Sequence, residues 1–181
     1  MCIRDRFRPA DTIETAESWE IALSMKNTPS VLALSRQNLP TVRQKHQFAN
    51  LVSKGAYILE EASKNRRVIL IATGSEVSSA LKARELLEHK GIGTRVVSMP
   101  CVDIFLEQDS SYRESILPSQ IRVRLAVEAA HPDYWRKFVG LEGAVIGVDT
   151  YGKSAPGGTV MELFGLNEEN VVSTMRNMLT A

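Results

Sequence analysis

The stretch from residue 68 to residue 98 constrains the fold most. An unbroken apolar run, Val68-Ile69-Leu70-Ile71-Ala72-Thr73, leads into Gly74-Ser75. Residues 76–90 follow, with Val77, Ala80, Leu81, Leu86 and Leu87 at helical spacing, and Gly91 closes them. Residues 94–98 are a second short strand-like run. A strand buried on both faces reads as a continuous hydrophobic run, and two such strands joined through a helix lie parallel. The pattern continues. A third strand is predicted over 122–128, a short helix with Pro132 in its first turn over 132–138, and a fourth strand over 144–148. Helices are predicted over 159–164 and 168–179 with Gly165 between them, short helical pieces around Phe105 and Tyr112, and an edge strand over 57–61. The expected fold is α/β, a Rossmann-like three-layer domain with a mainly parallel sheet.

Upstream lies a helix–strand remnant of a second α/β domain. Residues 11–26 read as a helix capped by Asp11, with Glu14 in the capping-box position. Ile13, Ala16 and Ile21, with Trp19 and Leu23, are its expected buried side, and Asn27-Thr28-Pro29 stops it. Residues 30–34 read as a buried parallel strand ending in the loop Ser35-Arg36-Gln37-Asn38-Leu39-Pro40. The polar stretch 41–54 is a linker, with the domain boundary near 50–54. Met1-Cys2-Ile3-Arg4-Asp5-Arg6 resembles translated adapter sequence and is set aside, so the chain is expected to begin inside a longer protein.

Composition narrows the function classes. With 44% apolar and 24% charged residues, the chain has a globular profile. A net charge of +1, with basic residues scattered, gives no footprint for nucleic acid or membrane. Two cysteines, Cys2 and Cys101, are too few for a disulfide scaffold, which points to a reducing, cytoplasmic setting.

Four groups of residues invite a chemical reading. Arg36 sits just past the carboxyl end of a predicted parallel strand, the edge where open α/β sheets bind ligands. Its guanidinium fork matches phosphate, although a surface ion pair would place an arginine there equally well. Gly147-Val148-Asp149-Thr150-Tyr151-Gly152-Lys153-Ser154 fits the phosphate-loop pattern letter for letter. That loop needs a helix starting at its Lys-Ser. Here Pro156 and Gly157-Gly158 put the expected helix start near Thr159, so an ordinary turning loop is the better reading. Glu128 and His131 could move a proton, but with no nucleophile near them in sequence they read as a structural pair. Gly74-Ser75-Glu76 resembles an anion-accepting helix start but lacks dinucleotide spacing, and Ser75 reads as a cap. His46, His89 and His131 are too far apart for a zinc site, and Cys101 reads as a packed thiol.

Five stretches in order resemble the transketolase family, most closely its bacterial form. They are Phe7-Arg8-Pro9-Ala10-Asp11, then Ala33-Leu34-Ser35-Arg36-Gln37-Asn38-Leu39-Pro40, then Leu70-Ile71-Ala72-Thr73-Gly74-Ser75-Glu76-Val77. Val97-Ser98-Met99-Pro100-Cys101 and the stretch from Gly147 to Gly157 complete the set. Pyruvate dehydrogenase β subunits share a similar domain pair, but the Ser35-to-Pro40 and Ser154-Ala155-Pro156 segments favour transketolase. The resemblance implies that residues 7–52 are the end of a pyrimidine-binding domain and residues 53–181 a C-terminal domain. It implies a homodimeric parent enzyme that uses thiamine diphosphate and a divalent metal (Mg or Ca). That enzyme would move a two-carbon ketol unit from a ketose phosphate to an aldose phosphate in the pentose phosphate pathway. By resemblance, Arg36 grips the sugar-phosphate end of the substrate. The family's catalytic, cofactor and metal residues are expected upstream of residue 7, so none is assigned here and the fragment alone is expected to be inactive. A stand-alone dimerisation or interaction domain, or a phosphate-loop nucleotide binder, are the other readings.

Overall fold

The computed structural model describes residues 5–44 and 47–180. Met1 to Arg4, including Cys2, and His46 lie outside the described residues. The chain opens with β1 (Asp5–Phe7), α1 (Thr12–Ser24) and β2 (Ser30–Leu32), and the two strands pair in parallel. Asp5 and Arg6, set aside on sequence, are thus the first two residues of β1.

From β3 (Tyr57–Glu60) onward runs the larger unit: β4 (Arg66–Ala72), α2 (Glu76–His89), β5 (Gly93–Ser98), α3 (Val102–Glu107), α4 (Ser110–Ile116) and β6 (Arg124–Val127). It continues with α5 (Arg136–Val139), β7 (Ala144–Ile146), α6 (Gly157–Leu163) and α7 (Glu168–Thr180). The sheet order is β3-β5-β4-β6-β7, parallel throughout except for β3 on its edge. Gly91, at φ +78°, lets the chain leave α2 and turn back into β5.

The unbroken run in β4 is explained by two-sided burial. Val68, Leu70 and Ala72 pack under α2 and α7 with Val77, Leu87, Val171 and Met175. Ile69 and Ile71 pack on the opposite face with Phe105, Trp135 and Phe138. Each of these large side chains contributes about 1.5–3 kcal/mol of transfer free energy when fully buried. A third cluster, Phe7, Val52, Cys101 and Ile104, joins the β1–α1–β2 unit to the larger one.

The helix–strand unit departs from expectation. Ile13, Ala16, Trp19 and Leu23 are exposed, and α1 turns Glu14 and Ser18 inward instead. The reason is a polar seam. Glu14 Oε1 accepts from the Tyr57 hydroxyl at 2.7 Å and the Ser98 hydroxyl at 2.5 Å, and Oε2 accepts from the Ala10 N–H at 2.6 Å. Asp11 caps the helix as expected, accepting from the Glu14 N–H. β2 is three residues long and only half-buried, shorter and more open than predicted.

Candidate functional site

β4 pairs with β5 on one side and β6 on the other, so the crevice outside the carboxyl ends of β4 and β6 is the switch point of the sheet. The fold fills this crevice with its own cation. The Arg8 guanidinium, carried in from the end of β1, donates to Glu128 and, at 3.3 Å, to Glu76. Both carboxylates are buried. Glu76 also accepts from the Ala129 N–H at 2.9 Å, and Glu128 from the Trp135 indole. The Arg8 carbonyl accepts from the Gly74 N–H and the Thr73 hydroxyl. Burial alone would lower the arginine's pKa, but the charges and hydrogen bonds of Glu76 and Glu128 outweigh it and hold the pKa above the ordinary value.

This network corrects two expectations. Ser75 has helical backbone angles and makes no cap hydrogen bond; its hydroxyl donates to Glu76 instead. Glu128 is structural, but its partners are Arg8 and Trp135 rather than His131. His131 is exposed and caps the turn Pro132–Trp135, accepting from the Asp133 N–H through Nδ1.

Beside the plugged crevice lies a cavity of about 860 Å³. Its walls are the loop after β2, the turn after β4, and the starts of α6 and α7. Arg36 and Lys153 both line it, and both are exposed. No hydrogen bond or ion pair joins Arg36 to another described residue. A guanidinium in that state keeps all five donors for a ligand. Across the cavity, Lys82 pairs with Glu168 at 3.2 Å.

The phosphate-loop segment does not form a nucleotide cradle. α6 starts at Gly157, two residues earlier than predicted but still beyond Lys153-Ser154. The backbone there runs without helix until Pro156, so no helix start faces a phosphate held by Lys153.

Metal-binding capacity is poor among the described residues. The one grouping of three potential ligands is Asp5, Cys101 and Asp103. Burial pushes the Cys101 thiol up to about 12, and burial with the nearby Asp103 and Glu107 charges raises Asp5. A protonated thiol and two carboxyls do not suit Mg²⁺ or Ca²⁺, which take six or more oxygen ligands. Among the described residues, this grouping therefore does not fit the metal of a thiamine diphosphate enzyme.

Residues 55–167 match the transketolase-like TK C-terminal domain family. The chain belongs to the transketolase family. The transketolase of Rhodobacter capsulatus is 52% identical over 179 residues, covering 96% of this chain and 26% of that protein. The transketolase of Leishmania mexicana superposes with a TM-score of 0.86 at 36% identity, covering 96% of this chain and 25% of that one. The Pichia stipitis transketolase in complex with sedoheptulose-7-phosphate gives a TM-score of 0.87 at 33% identity, covering 97% and 25%. This chain, a C-terminal portion of a transketolase, thus spans about a quarter of the length of the relatives it matches. Its fold is the transketolase C-terminal fold, a mixed α/β unit with a mostly parallel sheet.

Within this transketolase portion, sequence reasoning singled out Arg36 but missed Arg8. Arg8 belongs to the Phe7-to-Asp11 motif that carried the resemblance, yet its role depends on two glutamates 68 and 120 residues away. The pair of buried Arg43, in a stretch read as polar linker, with half-buried Glu17 of α1 was also missed. Among the described residues no helix is long and apolar enough to cross a membrane.

Proposed function

We propose that the full-length protein transfers a two-carbon ketol unit from a ketose phosphate to an aldose phosphate, as a transketolase of the pentose phosphate pathway, and that Arg36 binds the substrate's phosphate. The observation that carries this reading is the state of Arg36. It is an exposed guanidinium without an ion pair to any described residue, past the carboxyl end of β2, on a cavity large enough for a sugar phosphate. A bidentate arginine–phosphate contact far from the reacting carbons holds the substrate in the site and raises kcat/KM through binding.

Family membership supports the rest of the reading. Residues 7–52 are the end of the pyrimidine-binding domain, and residues 53–181 are the C-terminal domain. Thiamine diphosphate and its Mg²⁺ or Ca²⁺ are held by residues outside this chain, in a cytoplasmic homodimer, and the 181-residue piece is inactive by itself. The exposed apolar side of α1, with Trp19 and Leu23, is the surface that the remainder of its domain covers.

In the full-length enzyme, Arg36→Ala raises KM for phosphorylated sugars and leaves kcat nearly unchanged. An unchanged KM for those sugars would refute the assignment.

A further inference from the structure

Beyond the Ala33 N–H, which donates to the Phe7 carbonyl at 2.8 Å, the loop that presents Arg36 makes few hydrogen bonds to other described residues. Residues 33–38 are all exposed, and no helix or strand contains them. Within the loop, the Ser35 hydroxyl donates to Gln37 Oε1 at 2.9 Å, bracketing Arg36 on both sides. One further contact reaches across the cavity to the larger unit. The Gln37 side chain lies against the first residue of α6, Gly157. A Cβ built on Gly157 would stand 2.5 Å from Gln37 Nε2 and 3.0 Å from both Cδ and Cγ. Three atoms of one side chain thus occupy the space a β-carbon would take. Gly157 has no positive φ, so its backbone does not require glycine; the close approach does.

We infer that Gly157 is a positioning residue for substrate recognition: its missing side chain seats Gln37 on α6, and that seat orients Arg36. The inference rests on the reading of Arg36 as the phosphate ligand. It gives the C-terminal domain a part in specificity although it contributes no group to the chemistry. A β-carbon here meets the end of a flexible side chain, so Gln37 moves and α6 does not. Gln37 carries its neighbour with it, because Ser35 and Gln37 form one hydrogen-bonded bracket around Arg36. Displacing a substrate-positioning group by about 1 Å can cost up to about 100-fold in rate, so a small shift at Arg36 is measurable.

The test uses the full-length enzyme with Gly157→Val, Gln37→Ala, the double variant and Arg36→Ala, each assayed with a phosphorylated sugar and an unphosphorylated ketol donor. Gly157→Val is expected to raise KM for the phosphorylated sugar about 5-fold or more, with kcat and the KM of the unphosphorylated donor within about 2-fold. Gln37→Ala acts in the same direction, and the double variant is no worse than the worse single one, because both remove one seat. An unchanged KM in Gly157→Val, an equal rise for both donors, or additive effects in the double variant would overturn the inference. If Gly157→Val fails to fold, Gln37→Ala on its exposed loop decides, and an unchanged phosphorylated-sugar KM there also overturns it. Arg36→Ala separates the two levels. No effect on phosphorylated sugars there sinks the phosphate reading itself, whereas a clear effect with none from Gly157→Val sinks the positioning role alone.

Discussion

Replacing Arg8 by methionine keeps the aliphatic stem and removes the one cation that pairs with Glu76 and Glu128 among the described residues. Both carboxylates are buried, at 0% and 1% exposure, and each already accepts another hydrogen bond that fixes it in place. Neither can swing out to water without breaking the contact to Ala129 or Trp135. Removing one partner of a buried ion pair typically costs about 3–5 kcal/mol, because the charge left behind has no compensation. With a urea m-value of about 2 kcal/mol/M, that is a fall of about 1.5–2.5 M in the unfolding midpoint followed by far-UV circular dichroism. A triple variant, Arg8→Met with Glu76→Gln and Glu128→Gln, removes the stranded charge and regains most of the loss. A midpoint drop under about 0.5 M for Arg8→Met, or a triple variant no better than the single one, would refute the reasoning.

Glu14 gives a pH signature. Burial holds its carboxyl above the ordinary value although the Ser98 and Tyr57 hydroxyls and the Ala10 N–H pull it down. The folded state therefore binds this proton more tightly than the unfolded state. The group's contribution is full below the ordinary value of 4.5 and is lost as pH rises through the raised folded value. Glu14→Gln should flatten that part of the stability profile, and a midpoint that still falls with pH as steeply as in the parent chain contradicts it. Leu70→Ala, in the layer under α2 and α7, should cost about 2–5 kcal/mol in chemical denaturation, and a loss under about 1 kcal/mol would mean this core is not tightly packed. Saturating ATP should leave the melting temperature flat; a rise of several degrees would revive the nucleotide reading of Gly147 to Ser154.

The larger unit was legible because its pattern is physical at short range. The run in β4 needs apolar residues on both faces, and the Glu76–His89 helix closes at a glycine that its exit geometry requires. The smaller unit was not, because α1 uses its polar side inward. Nothing in residues 11–26 tells that Glu14 will meet Tyr57 and Ser98, which lie 43 and 84 positions away. The same holds for the site. Arg36 could be placed from strand and loop composition, since its position at a strand's carboxyl end is local. Arg8, Glu76 and Glu128 converge only once the sheet is ordered, and the Gln37–Gly157 contact spans 120 residues with no pattern in either segment.

Phosphate recognition by Arg36 underlies both the proposed substrate class and the role given to Gly157. The direct measurement is the ratio of kcat/KM for a phosphorylated over an unphosphorylated ketol donor, in the full-length enzyme and in Arg36→Ala. Charge-assisted hydrogen bonds worth about 1.5–3 kcal/mol predict that the ratio falls by about 10- to 100-fold. A ratio that survives the substitution unchanged would contradict it.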